Sequence, residues 1–242
     1  MYKRTQFPEK IGKWLIAAWL ACGATASVAA DFDRDARGTR GMVAAAHPLA
    51  SQVGVEILQA GGNAVDAAVA VGFALSVIEP NASGVGGGGF MLVWLAEEQR
   101  AVFIDYREKA PGAATPDMYA LDENGKIVKD ARGFSPAVAG GKAVAVPGHV
   151  AGHLLALERH GTMSRAQVLQ PAIRHAEEGL VVSDVLAGLI TDNYDVIEAF
   201  PATAQLYLND GFPKSPGDVV QNPELASTLR KIAAEGKDAF YR

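Results

Sequence analysis

Three groups of residues in this sequence have the types and spacing to do chemistry. The first is the glycine run in "NASGVGGGGFMLVWL", residues 81–95, where Gly84, Gly86 and Gly89 satisfy G-x-G-x-x-G. A phosphate loop of that form needs a strand before it and a helix after it, so that phosphate meets the positive end of the helix. Here a helical pattern precedes the glycines and a strand pattern, residues 90–95, follows them. The reversed order argues against nucleotide binding. What remains is a turn that needs glycine for positive φ or for very close backbone packing.

The second group is His149 and His153, four apart on one face of a helical segment. Such a pair can hold a metal, but Val150 stands where H-E-x-x-H has glutamate, and no third ligand is evident. Satisfied or exposed histidines are expected, and no metal is assigned. His47, just before Pro48, reads as a structural or helix-entry residue. The third group is Arg107 in "IDYREKAP", residues 104–111. At a strand end its planar guanidinium can fork onto a carboxylate. The other reading is a surface arginine paired with Glu108 or Asp105. No G-x-S-x-G occurs, so serine catalysis has no anchor. Asp31, Asp33 and Asp35 imitate a calcium loop, but Ala36 and Met42 replace its glycine and its bidentate glutamate.

The elements that must position these residues follow from pattern. "GMVAAA", residues 41–46, reads as a short buried strand. Pro48 suits the first turn of a helix to Gln59, ended by Gly61-Gly62. Asn63 can cap the next helix, with Asp66 favouring its positive end, and residues 64–78 are apolar almost all round, as in a helix buried between layers. Residues 90–95 and 101–106 form a hairpin pattern, and Asn124-Gly125 marks a later turn. Residues 141–148 read as a strand and 149–161 as a helix ending in glycine. Ser164 can cap a helix to Gly179, Ser183 one to about Ala199, and Asn222-Pro223 opens one to Gly236. "KDAFYR" begins a further helix that nothing caps, so the chain reads as cut short.

Composition bounds the class. The 242 residues are 49% apolar and 20% charged, which fits a globular core. The net charge is −5 and no basic stripe occurs, so neither nucleic acid nor an anionic membrane surface is an expected partner. Lys3, Arg4, Lys10 and Lys13, the apolar run 14–21 and the small residues 27–30 form a secretory signal with cleavage after Ala30. A short membrane anchor is the alternative, but the run is short for a spanning helix. A lipoprotein site at Cys22 is disfavoured by Trp19. The expected organisation is a signal peptide over 1–30 and a partial domain over 31–242, in the periplasm or secreted. Losing 1–30 removes four positive charges and one negative, leaving −8, and takes with it the single cysteine. Disulfides, thiol nucleophiles and thiolate ligands are then excluded.

The stretch from "GMVAAAHPLASQVGVEILQAGGNAVDAAVAVGFALSVIEPNASGVGGGGFMLVW" through "IDYREKAP", "VPGHVAG" and "HGTMSRAQVLQPAIRHAEEG" resembles the large-subunit part of gamma-glutamyltranspeptidase. The likeness runs from about Gly41 to the last residue. It implies an α+β fold of the N-terminal-nucleophile hydrolase type, a four-layer α-β-β-α sandwich only partly present in this chain. It also implies a self-cleaving precursor whose small-subunit portion is missing here, and no cofactor. In that family a new N-terminal threonine attacks the γ-glutamyl amide of glutathione, and the acyl-enzyme passes the glutamyl group to water, an amino acid or a dipeptide. A freed α-amino group, with an ordinary pKa near ~8, is a suitable base for that hydroxyl. The family's "REKAP"-like arginine holds the substrate's α-carboxylate, which matches Arg107. The threonines here are 5, 25, 39, 115, 162, 191, 203 and 228, and none belongs to the Thr-Thr-His-like nucleophile segment. No catalytic residue is assigned, and the chain as written is not expected to turn over. The alternatives are a related amide hydrolase, such as a cephalosporin acylase or a poly-γ-glutamate enzyme, and a non-catalytic γ-glutamyl-ligand binder. Sheets that need strands from both subunits should leave an isolated chain poorly stable, with an exposed apolar face.

Overall fold

A helix forms where side chains satisfy the free N–H groups of its first turn, and this chain supplies such caps repeatedly. The computed structural model describes residues 36–242, so the signal reading of residues 1–30 and the cleavage after Ala30 lie outside the described residues. Residues Gly41–Arg242 make up one unit. Its elements are α1 (Pro48–Gln59), α2 (Ala64–Ile78), β1 (Phe90–Leu95), β2 (Arg100–Asp105), a 3₁₀ turn (Gly141–Ala143), α3 (His149–His160), α4 (Arg165–Glu178), β3 (Leu180–Val181), α5 (Asp184–Asp192), α6 (Tyr194–Glu198), α7 (Pro201–Tyr207), β4 (Leu208–Asn209), β5 (Phe212–Pro213), β6 (Val219–Val220), α8 (Pro223–Glu235) and α9 (Asp238–Tyr241).

The central element is α2. It is buried on nearly every side, and α1, α3 and α4 pack around it, with α8 against α4. The capping signals behave as their chemistry requires. Asn63 and Asp66 close a reciprocal box at the start of α2, and Ser164 and Gln167 do the same for α4. His47 caps α1, its Nδ1 accepting from Leu49 N–H at 3.2 Å.

β1 and β2 pair antiparallel from Phe90 opposite Asp105 to Leu95 opposite Arg100. Alternation then divides the hairpin. Met91, Val93, Val102 and Ile104 pack towards the core, while Phe90, Leu92, Trp94 and Phe103 stand 58–72% exposed on the other face. The exposed apolar face expected from sequence is therefore present.

Three expectations are corrected. Residues 41–46 form no strand, because no partner strand pairs with them among the described residues. Residues 141–148 are a 3₁₀ turn followed by extended chain that pairs only where Val146 meets Lys109. The helix expected from Ser183 to Ala199 is two helices, α5 and α6, separated at Asn193.

Candidate functional site

Arg107 follows β2 directly, and the backbone around it is pinned on both sides. Tyr106 and Gly89 exchange two hydrogen bonds, of 3.0 and 3.3 Å, which extend the hairpin by one pair. Lys109 and Val146 exchange two more, of 3.1 and 2.8 Å. Asp105 adds a local turn, its carboxylate accepting from Arg107 N–H at 3.0 Å.

The glycine run is what lets these segments meet. None of Gly84, Gly86, Gly87, Gly88 and Gly89 has positive φ, so the conformational alternative is overturned, and close packing is the reason for glycine at 87–89. A Cβ on Gly88 would lie 2.5 Å from the carbonyl oxygen of Tyr106 and 2.8 Å from Glu108 Oε2. A Cβ on Gly148 would overlap the same Tyr106 carbonyl, and one on Gly152 would overlap the Tyr106 side chain. The carbonyl of Gly87 accepts from both Gly148 N–H (3.0 Å) and His149 N–H (2.9 Å), which ties the start of α3 to the turn. The run is an assembly point for three backbones and no phosphate cradle.

The Arg107 guanidinium is half-exposed. It pairs with Glu108 at 3.2 Å, and its Cζ lies 5.9 Å from the centre of the Phe90 ring. Beside it is a cavity of about 310 Å³ lined in part by Lys109, Pro147, Gly148, Ala151 and Tyr241. The Tyr241 hydroxyl donates to Pro147 O at 2.9 Å and accepts from Ala151 N–H at 3.2 Å, bracing the turn into α3. A larger cavity, about 720 Å³, lies between the end of α3, the start of α4 and the end of α8. Two of its polar residues already have structural roles: Arg165 donates to the carbonyls of Ala233 and Ala234, and Thr162 binds Asp66. Arg107's cavity is thus the better candidate for a ligand carboxylate.

His149 and His153 are buried beneath this site. Their rings stack with centroids 4.1 Å apart, and their hydrogen bonds run to Ser76 and to the carbonyl of His149, away from any shared ion. No group of three His, Cys, Asp or Glu able to hold a metal occurs among the described residues. Burial pushes His149 down to about 3, helped by the neighbouring His153. Burial likewise pushes His153 down to about 4, against its hydrogen bond to the His149 carbonyl. The unfolded chain takes up these protons near the ordinary 6.5, whereas the folded chain resists them. Their contribution is intact above pH 6.5 and is lost as pH falls from there towards about 4 for His153 and about 3 for His149. Unfolding free energies from urea titrations should therefore drop steadily from about pH 6.5 to 5, by up to about 1.4 kcal/mol per pH unit per histidine. A flat profile would contradict the burial of the pair.

Asp66 has a role that no sequence signal announced. Fully buried, it accepts from Asn63 N–H (2.8 Å), Thr162 N–H (2.9 Å), the Thr162 hydroxyl (2.7 Å) and Met163 N–H (3.1 Å). Asn63 Nδ2 also donates to His160 O at 2.7 Å. The cap of α2 is therefore also the bolt that holds the α3–α4 turn, about a hundred residues away.

Comparison with known proteins gives four relevant matches. The family model "Gamma-glutamyltranspeptidase" matches residues 50–242. A glutathione hydrolase proenzyme of Bacillus subtilis is 46% identical over 205 residues, covering 85% of this chain and 34% of that protein. An acylase ACY 1 proenzyme of a Pseudomonas species is 49% identical over 210 residues, covering 86% and 37%. The crystal structure of Helicobacter pylori gamma-glutamyltranspeptidase superposes with a TM-score of 0.79 at 36% identity, covering 86% of this chain and 58% of that one. The chain spans about a third of the length of the curated relatives it matches.

Proposed function

Since the chain belongs to the gamma-glutamyltranspeptidase family, we propose that it supplies the substrate-carboxylate side of a γ-glutamyl hydrolase and transferase, with Arg107 holding the α-carboxylate of glutathione or another γ-glutamyl compound. The observation that carries this is the presentation of Arg107. Its backbone is pinned by pairing on both sides, its guanidinium is half-exposed beside a cavity, and its one ion-pair partner among the described residues is the adjacent Glu108. A pair whose arginine is half-exposed contributes little, so a ligand carboxylate can displace Glu108 at small cost.

The reaction needs a nucleophile that these 242 residues do not contain in Thr-Thr-His form. We place it in a further small-subunit portion of the same precursor, where a threonine hydroxyl gives its proton to its own α-amino group and attacks the γ-glutamyl amide carbon. The amine leaves, and water or an amino acid or peptide then takes the glutamyl group. On this reading the chain alone binds but does not turn over. Titration calorimetry with L-glutamate and glutathione, run beside a glutamate-release assay, should show binding without release. Absence of binding, or release by the 242-residue chain, would overturn it.

The relative bearing the acylase name, at 49% identity, favours a second reading as a hydrolase of another amide. A ligand lacking the α-carboxylate that bound as tightly as L-glutamate would support that reading. Residues 1–30 are proposed as an export signal to the periplasm or medium, with 31–242 as the partial large-subunit domain. No helix among the described residues is long and apolar enough to cross a membrane. A mature N-terminus other than Asp31 would contradict this division.

A further inference from the structure

We propose that the stacked pair His149 and His153 positions Arg107: the pair holds the ring of Tyr106, and Tyr106 fixes the backbone from which the guanidinium extends. The proposal rests on the carboxylate reading of Arg107 for its functional meaning but not for its geometry. The contacts form one continuous line. The Ser76 hydroxyl donates to Gly72 O at 3.1 Å, which spends its only proton, so His149 Nε2–H donates to Ser76 Oγ at 3.4 Å. The His149 carbonyl accepts from His153 Nδ1–H at 2.9 Å. The His153 ring then meets Tyr106 edge-on, with centroids 5.2 Å apart. Each ring is thereby held in one tautomer and one orientation.

Two helix glycines are shaped around this line. A Cβ on Gly72 would overlap His153 Nε2, and one on Gly152 would overlap the Tyr106 side chain. Glycine inside a helix costs about 1 kcal/mol relative to alanine, and burying two imidazoles costs desolvation that leucine or phenylalanine would avoid. Simple filling of space needs neither. Both are explained if the ring of Tyr106 has to rest on a surface of fixed orientation. The groups facing the pair are Gly72, Phe73 and Ser76 from α2 and Tyr106 from the end of the hairpin, with no carboxylate among them.

Amide hydrogen exchange on the whole chain tests this without any ligand. Tyr106 N–H donates to Gly89 O at 3.0 Å and reports the pinned strand end, while Leu169 and Leu229, fully buried in α4 and α8, report the global core. In His153→Ala, Tyr106 should exchange about tenfold faster with Leu169 and Leu229 unchanged. His153→Phe, which keeps a ring edge on Tyr106, should restore most of the protection. Ser76→Ala, a smaller lesion that keeps the chain folded, should give a change of about threefold in the same direction. Unchanged Tyr106 protection in Ser76→Ala and His153→Ala, or an equal acceleration at all three amides, would overturn the proposal. L-glutamate affinity should fall in step with Tyr106 exchange across the three variants. If Arg107→Ala leaves that affinity unchanged, the carboxylate reading fails while the exchange data still decide the positioning.

Discussion

Replacing Arg107 with alanine is expected to weaken binding of glutathione by about 2–4 kcal/mol, roughly 30- to 800-fold, with little change in folding stability. The two halves of that expectation come from the same geometry. The side chain is about 55% exposed, and its partner Glu108 is adjacent in sequence, so removing it leaves no buried group unpaired. Stability should therefore move by no more than about 0.5 kcal/mol. A bound α-carboxylate is different, because the guanidinium offers it two parallel N–H donors in a fixed plane. Arg107→Lys keeps the charge and loses the fork, so its affinity should fall between those of the wild type and the alanine variant. Calorimetry on the chain, or KM for a γ-glutamyl substrate in an assembled enzyme, reads the effect. An unchanged value in Arg107→Ala would remove the central support for the proposed function.

The largest effect on stability belongs to Asp66, whose replacement by alanine should cost about 3–5 kcal/mol. Deleting the carboxylate strands the backbone N–H groups of Asn63, Thr162 and Met163 and the Thr162 hydroxyl, all gathered on one buried acceptor. Asparagine is a poor substitute. It has one acceptor oxygen, and its amide would point donors at donors. Burial alone would raise the Asp66 pKa, but the hydrogen bonds from Thr162, Asn63 and Met163 outweigh it and hold the group below its ordinary 3.8. Its contribution is thus present above pH 3.8 and is lost as pH falls further, below most of the range where the histidines act. Urea unfolding at pH 7 measures the loss. A change under about 1 kcal/mol in Asp66→Ala would show that the carboxylate does not bolt the α3–α4 turn to α2.

The helices were legible in the sequence because their ends are written in single residues. Asn63, Ser164, Ser183 and Asn222 each cap a helix start, Pro48 and Pro223 each fill a first turn, and Gly179 and Gly236 each close an end. The 90–105 hairpin was equally plain, since both strands and the four-residue link between them are local. Where strand formation depended on a distant partner, pattern misled. Residues 41–46 are apolar enough to be a strand, but nothing among the described residues pairs with them, and 144–148 pairs only at Val146. The family likeness implies an exposed apolar face without saying where; the structure puts it on the row Phe90, Leu92 and Trp94, because alternation turns one hairpin face outward.

Sequence alone determined the caps, the buried helix α2, the hairpin and the position of Arg107 at a strand end, since each rests on neighbours within a few residues. Only the tertiary structure decided why Gly88 is a glycine. Its φ is ordinary, and what excludes a side chain there is the carbonyl of Tyr106 arriving from the other strand. The same holds for Asp66 meeting Thr162, His153 meeting Tyr106 and Tyr241 meeting Pro147. Those contacts join residues 47 to 96 positions apart, and no local propensity encodes which distant backbone will come to rest against a given side chain.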